Sequence, residues 1–215
     1  MVSTGKPTAS PSRAGRLPLT GGALACNFAN TSSGRGTLTH QEHLRCADDV
    51  LAWAVHAGVL SGTDGTALSR RLSPDRSRAL FRRALALRED VHAVLRSIAL
   101  GEAPQSQRLE GLHHAYARCV ARAHLLHKPS GFEWVWNVVE QPVEAVLGPI
   151  SVSGVKLLIE ADHTRIKLCQ GNACGWVFLD TTKNHSRRWC EMEVCGNRAK
   201  QKRHQSRLRK ALAAN

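Results

Sequence analysis

Residues 165–200 read Arg165-Ile-Lys-Leu-Cys169-Gln-Gly-Asn-Ala-Cys174-Gly-Trp-Val-Phe-Leu-Asp180, then, after six residues, Arg187-Arg-Trp-Cys190-Glu-Met-Glu-Val-Cys195-Gly-Asn-Arg198-Ala-Lys200. Four of the chain's seven cysteines stand here as C-x4-C-x15-C-x4-C. Two close pairs joined by a segment long enough to fold back can surround one ion tetrahedrally, the arrangement preferred by structural zinc. The sequence therefore predicts one zinc ion held by Cys169, Cys174, Cys190 and Cys195. Two disulfides would need an oxidising compartment, which an odd cysteine count argues against. An iron–sulfur cluster also accepts four thiolates and stays open as an alternative. A catalytic zinc needs a free position, and four thiolates leave none. His163, His185 and His204 flank the frame and read as solvent-facing.

Around these cysteines, 165–169 and 176–179 have the composition of two short strands, a hairpin carrying the first pair. After Cys195 the chain continues Gly196-Asn-Arg-Ala-Lys-Gln-Lys-Arg-His-Gln-Ser-Arg-Leu-Arg-Lys210. Nothing breaks a helix there after the first glycine. Lys200, Arg203, Arg207 and Lys210 fall at i, i+3, i+7 and i+10, one continuous face, with Arg198, Lys202 and Arg209 beside it. The charge is concentrated in this part of the chain. Residues 161–215 hold 12 Lys and Arg against 4 Asp and Glu, whereas the whole chain of 215 residues carries 30 against 17. Such asymmetry points to a polyanion, nucleic acid before membrane. The competing reading is a solvated, solubilising face.

Upstream, hydrophobic periodicity predicts mostly helix. The short apolar stretch 24–30 reads as a strand. Thr39 and Glu42 have capping-box spacing for a helix reaching Val59 and stopped by 61–65. Ser73-Pro74 starts a second helix, striped by Leu80, Ala84, Leu87, Val91 and Ile98 and ended at Gly101, with Arg78, Arg82, Arg83, Arg88 and Arg96 as its solvated face. A third helix is expected over 105–126, with Leu109, Leu112, Tyr116, Cys119, Val120 and Ala123 inward. Phe132, Trp134, Trp136 and Val138 alternate like a core strand, and a further helix is expected over 151–162. The expected class is α+β: a mainly helical N-terminal domain over 23–162, a small zinc-bound hairpin-plus-helix module over 163–210, a flexible polar leader over 1–22 and a tail over 211–215.

Composition narrows the function classes. Apolar residues make up 42% and charged residues 22%, ordinary globular values. The longest mostly apolar run, 50–60, is too short for a bilayer span of about 20 residues, and no apolar signal segment opens the chain, so the cytoplasm is the expected compartment. Neither a P-loop, a dinucleotide fingerprint nor a nucleophile elbow is present. His113-His114 and Asp48-Asp49 read as exposed polar residues on amphipathic helices, and no enzyme activity is expected.

With those residues in view, the chain resembles two known families. The four-cysteine frame with Gly196-Asn197-Arg198 and Arg188-Trp-Cys190 resembles the CGNR zinc finger, named for the tetrapeptide at 195–198. Gly21-Gly-Ala-Leu24, Phe28-Ala-Asn30-Thr31, Leu51-Ala-Trp53 and Ala57-Gly58 are similar to the ABATE domain that usually precedes it. Asn27 stands where the family more often has an acidic residue. The resemblance implies a bacterial, stress-related transcription regulator with a zinc-dependent DNA-binding finger. The residues expected at DNA are Arg187, Arg188, Arg198, Lys200, Lys202, Arg203, Arg207 and Lys210, mostly on backbone phosphates. An RNA-binding protein and a zinc-stabilised interaction adaptor are the alternatives. A homodimer and an unidentified small-molecule effector of the N-terminal domain complete the expected partners.

Overall fold

The computed structural model describes residues 12–212. In order, the chain forms α1 (Leu24–Ala29), a two-residue ladder of β1 (Ser32–Ser33) with β2 (Gln41–Glu42), α2 (Ala47–His56), α3 (Gly62–Arg71), α4 (Pro74–Ala99) and α5 (Ser106–Val120). The hairpin β3 (His124–Lys128) and β4 (Gly131–Val135) follows, then α6 (Pro142–Ile159), the hairpin β5 (Ile166–Leu168) and β6 (Val177–Leu179), and α7 (Asn197–Leu212). All three strand pairs are antiparallel. The class is the α+β expected, with helices dominating.

α4 is the central element, and local chemistry explains its limits. The Ser73 hydroxyl accepts the Arg76 N–H at 3.3 Å, Pro74 pre-sets the first turn, and Gly101 closes the end at φ +72°. Its stripe of Leu80, Ala84, Leu87, Val91 and Leu95 is buried against α1, α2, α5 and α6. Each large side chain so buried contributes about 1.5–3 kcal/mol. The Phe28 and Trp53 rings meet at 4.9 Å between centroids inside this core.

The partner helix α6 is the most apolar of the long helices. Its 18 residues are long and apolar enough to cross a membrane, so the longest apolar stretch is here and not at 50–60. It packs instead between α1, α4 and α5. Small residues allow that fit: a Cβ on Gly148 would lie 2.4 Å from the Trp136 ring, and Gly154 faces Leu112, Val91 and Ala25.

Several local expectations give way to tertiary structure. Of residues 24–30, Leu24–Ala29 are helical and Asn30 caps them: Ala25, Cys26, Phe28 and Ala29 are all buried, which erases any alternation a strand would need. The helix after Thr39 starts only at Ala47, because the Glu42 carboxylate takes the Leu44 N–H at 2.9 Å and Arg88 at 2.7 Å rather than closing a capping box. Ser61 begins a helix rather than ending one, its hydroxyl accepting the Asp64 N–H at 3.0 Å. The third helix stops at Val120, and 124–128 become a strand. Leu109, Phe132 and Trp134 are exposed, not core, and 151–162 is only the second half of α6, with Ile159 exposed. Arg83 and Arg88 leave the solvated face to pair with Glu144 and Glu42. Residues 12–22 are anchored, with Ala14 and Leu17 in the core; 1–11 lie outside the described residues.

Asp49 is buried as well, unlike its neighbour Asp48. Burial alone would raise its carboxyl pKa. The Ser12 hydroxyl at 2.5 Å and the Arg45 N–H at 2.9 Å more than offset this and hold it below the usual range. A depressed carboxylate contributes stability above the unfolded pKa, about 3.9, and loses it as pH falls further. Asp49→Ala is therefore expected to cost about 1–2 kcal/mol at pH 7, with the difference from the parent shrinking in denaturant titrations as pH falls below about 4. A pH-independent difference would refute the charge argument.

Candidate metal centre and basic helix

The two cysteine pairs are placed by turns that tolerate little else. The Cys169 N–H donates to the Trp176 carbonyl at 2.8 Å, extending the β5–β6 ladder to the first ligand. The chain then doubles back through Ala173 at φ +57° and Gly175 at φ +71°. A Cβ on Gly171 would stand 2.8 Å from Cys195 Sγ, so only glycine lets the backbone pass the sulfurs. After Cys190 comes a wide helical turn, Met192–Gly196, that carries Cys195 and in which Cys195 and Gly196 both donate to the Glu191 carbonyl.

The result is a compact sulfur cluster. All four Sγ atoms lie within 4.8 Å of one another, and Cys190 Sγ is 3.6 Å from both Cys174 Sγ and Cys195 Sγ. A tetrahedron with metal–sulfur bonds of about 2.3 Å has edges of about 3.8 Å, so the donors fit a metal ion. Their protonation makes the same point. The thiols of Cys174 and Cys190 interact with Cys169, whose pKa is lowered by them and by the N–H groups of Cys190 and Gly171, at 3.2 and 3.4 Å. The thiols of Cys174 and Cys190 are pushed up in turn, chiefly through Cys169. Four sulfurs this close ionise together only around a cation. His163, His185 and His204 stand outside the cluster.

Around it sit Trp176, Phe178 and Trp189. Asp180, fully buried, ties the approach to Cys190 by accepting from Lys167 Nζ at 2.7 Å, Thr182 Oγ1 at 2.6 Å and the Arg187 N–H at 2.9 Å. The Arg187 guanidinium points inward over the Phe178 ring at 4.3 Å, donating to the carbonyls of Thr20 at 2.6 Å, Trp189 at 3.0 Å and Cys190. It is a structural strut, unlike the outer-surface cation expected.

The hairpin is not a separate body. Ile166 and Val177 belong to the main core. The Asn30 amide brackets β6, donating to the Val177 carbonyl at 2.9 Å and accepting its N–H at 3.0 Å. The Leu179 N–H donates to the Gly21 carbonyl and the Gly34 N–H to that of Cys174, both at 2.9 Å. His92 Nε2 donates to the Gly175 carbonyl at 2.8 Å; burial, then nearby Arg35, lowers its pKa to about 4, leaving it neutral near pH 7. Sequence reasoning missed Asn30 and His92. Asn30 opens the polar run 30–33 that follows the apolar stretch, and nothing in that setting marks it as the bracket for β6.

From the turn Met192–Gly196, α7 extends with the basic face expected of it. Arg198, Lys200, Lys202, Arg203 and Arg207 are exposed, as is Arg188 beside them; Lys210 lies on the same helix, its side chain outside those described. α7 contains no Asp or Glu. A family model described as "Putative stress-induced transcription regulator", ABATE, matches residues 22–161. The chain belongs to the ABATE family. A CGNR zinc finger model matches 165–208, which covers the cluster and most of α7. None of the curated proteins matches this ABATE chain.

Proposed function

We propose that this ABATE protein is a transcription regulator that binds DNA through α7, with one structural zinc ion in the four-cysteine cluster. One observation carries the reading: a helix with seven Lys and Arg among 16 residues and no acid follows directly on the four-cysteine cluster and packs chiefly on the turn that precedes it. Thiolate donors suit zinc, which would fix the hairpin and the start of α7 without an open position for chemistry. The protein is then a binding protein rather than an enzyme, working in the cytoplasm at the nucleoid. Arg188, Arg198, Lys200, Lys202, Arg203, Arg207 and Lys210 supply the positive surface. Most would meet phosphates, since base reading uses few side chains.

Elemental analysis of the reduced, freshly purified protein should find one zinc per chain; iron with visible absorption would select the cluster alternative. Affinity for DNA should fall with salt at a slope of about −0.9 per phosphate contact, near −4 if Lys200, Arg203, Arg207 and Lys210 each hold one. Changing Arg203 and Arg207 together to alanine should reduce that slope by about two. An unchanged affinity and slope would remove α7 from the interface.

A further inference from the structure

Beside the sulfur cluster, the first turns of α7 and the loop after Cys169 enclose a cleft of ≈ 470 Å³. Gln170, Arg188, Trp189, Arg198, Lys202 and Arg203 line it. Three kinds of chemistry meet there. Arg188 lies over the Trp189 indole at 5.2 Å, its Nε donating to Gln170 Oε1 at 2.8 Å while the Gln170 N–H donates to the Arg188 carbonyl at 3.0 Å. This cation–indole pair is held in place before any ligand arrives. Arg198 and Lys202 stand one turn apart on α7, like charges that repel, and Arg203 follows. Among the described residues none of these four cations has a carboxylate partner, and no acidic side chain lines the cleft. An anion would relieve that repulsion. The side-chain amide of Gln170, with that of Asn172 nearby, adds donors and acceptors suited to the edge of a base.

Phosphate-seeking cations, a planar stacking surface and amides together describe a nucleotide. The volume lies within the small-molecule range of about 300–1,000 Å³, whereas a duplex, whose major groove alone is about 12 Å wide, cannot enter. We propose that the cleft binds one unpaired nucleotide, its base against the Arg188–Trp189 pair and its phosphate among Arg198, Lys202 and Arg203. This rests on the nucleic-acid reading and sharpens it: α7 follows the backbone while the cleft takes one nucleotide out of the stack. Stacking of this kind tolerates any base, because every base has a π face.

The test compares three labelled probes by fluorescence anisotropy with the full-length, metal-loaded protein: an intact duplex, the same duplex with a one-nucleotide bulge, and one of its single strands. The bulged duplex and the single strand should bind about tenfold tighter than the intact duplex. Trp189→Leu should abolish that advantage and Trp189→Phe should keep most of it. Because Trp189 also packs against the cysteines, Arg188→Ala is the second variant; its side chain is exposed, and it should abolish the advantage with metal content and helicity intact. Unlabelled thymidine monophosphate separates the two sources of this chemistry. Displacement of the single strand at millimolar concentration assigns the cleft to a free nucleotide, and no displacement alongside the bulge preference assigns it to a polymer. Equal affinity for all three probes, unmoved by Arg188→Ala and Trp189→Leu, overturns this inference and leaves DNA binding standing. No binding to any probe overturns both.

Discussion

Replacing Cys190 by serine is expected to strip the metal from the protein and to loosen more than the finger. Cys190 is the hub of the cluster, with its sulfur 3.6 Å from two others and its N–H on the Cys169 sulfur. Structural zinc contributes about 10–16 kcal/mol of apparent binding energy in finger peptides at neutral pH. The buried cluster here consists of Cys169, Trp176, Phe178, Cys190 and Cys195, too little apolar surface to fold alone. Once β6 frays, the Asn30 amide loses both partners, and each buried polar group left unpaired costs about 1–3 kcal/mol. Hydrogen exchange should therefore rise through 166–212 and also in α1, while α4 keeps its protection. Elemental analysis should find the zinc gone. A variant that retains stoichiometric metal, or one whose exchange changes stop at residue 166, would contradict this account.

Arg88→Met should produce the second large loss. Arg88 is 4% exposed and gives Nη2 to Glu42 Oε2 at 2.7 Å and Nε to Glu89 Oε1 at 2.9 Å, linking α4 to β2. Burial opposes its charge, but these carboxylates hold its pKa up, and the guanidinium stays ionised. Removing one member of a buried pair costs about 3–5 kcal/mol. The lower end applies because Glu42 and Glu89 keep about a third of their side-chain surfaces in water. Adding Glu42→Gln should recover part of the loss, since the second change removes the stranded charge. Urea midpoints of the two single variants and the double variant measure that coupling. Strictly additive losses would show that Arg88 acts through packing alone.

These two sites mark how far the sequence could be read. The four-cysteine frame, the basic face of α7 and the Ser73-Pro74 start of α4 were legible because each depends on spacing within one short segment. Arg88 was not: it occupies a helical position next to the apolar stripe, and its burial depends on Glu42, which arrives from 46 residues away. The same holds for Asn30 and Val177, for the inward turn of Arg187 onto Thr20, and for α1, whose few residues are buried too completely to show a period. Phe132 and Trp134 mislead in the opposite direction. Their alternation is real, and they do form β4, but that hairpin stands at the surface with much of its apolar area uncovered.

The bracket of Asn30 around Val177 joins residues 147 apart in sequence, and that separation has a temporal side. At about 5–20 residues per second, a ribosome emits Val177 at least about 7 s after Asn30. Local helices such as α4 close within microseconds. The segment around Asn30 must wait with its amide in water, and so must the Gly21 carbonyl that later receives Leu179. The N-terminal core is therefore sealed by a strand made late, and closing that long loop carries an entropic cost that local contacts do not. During synthesis the chain passes through a stage in which α1 to α6 have been made and the site that receives β6 is still open.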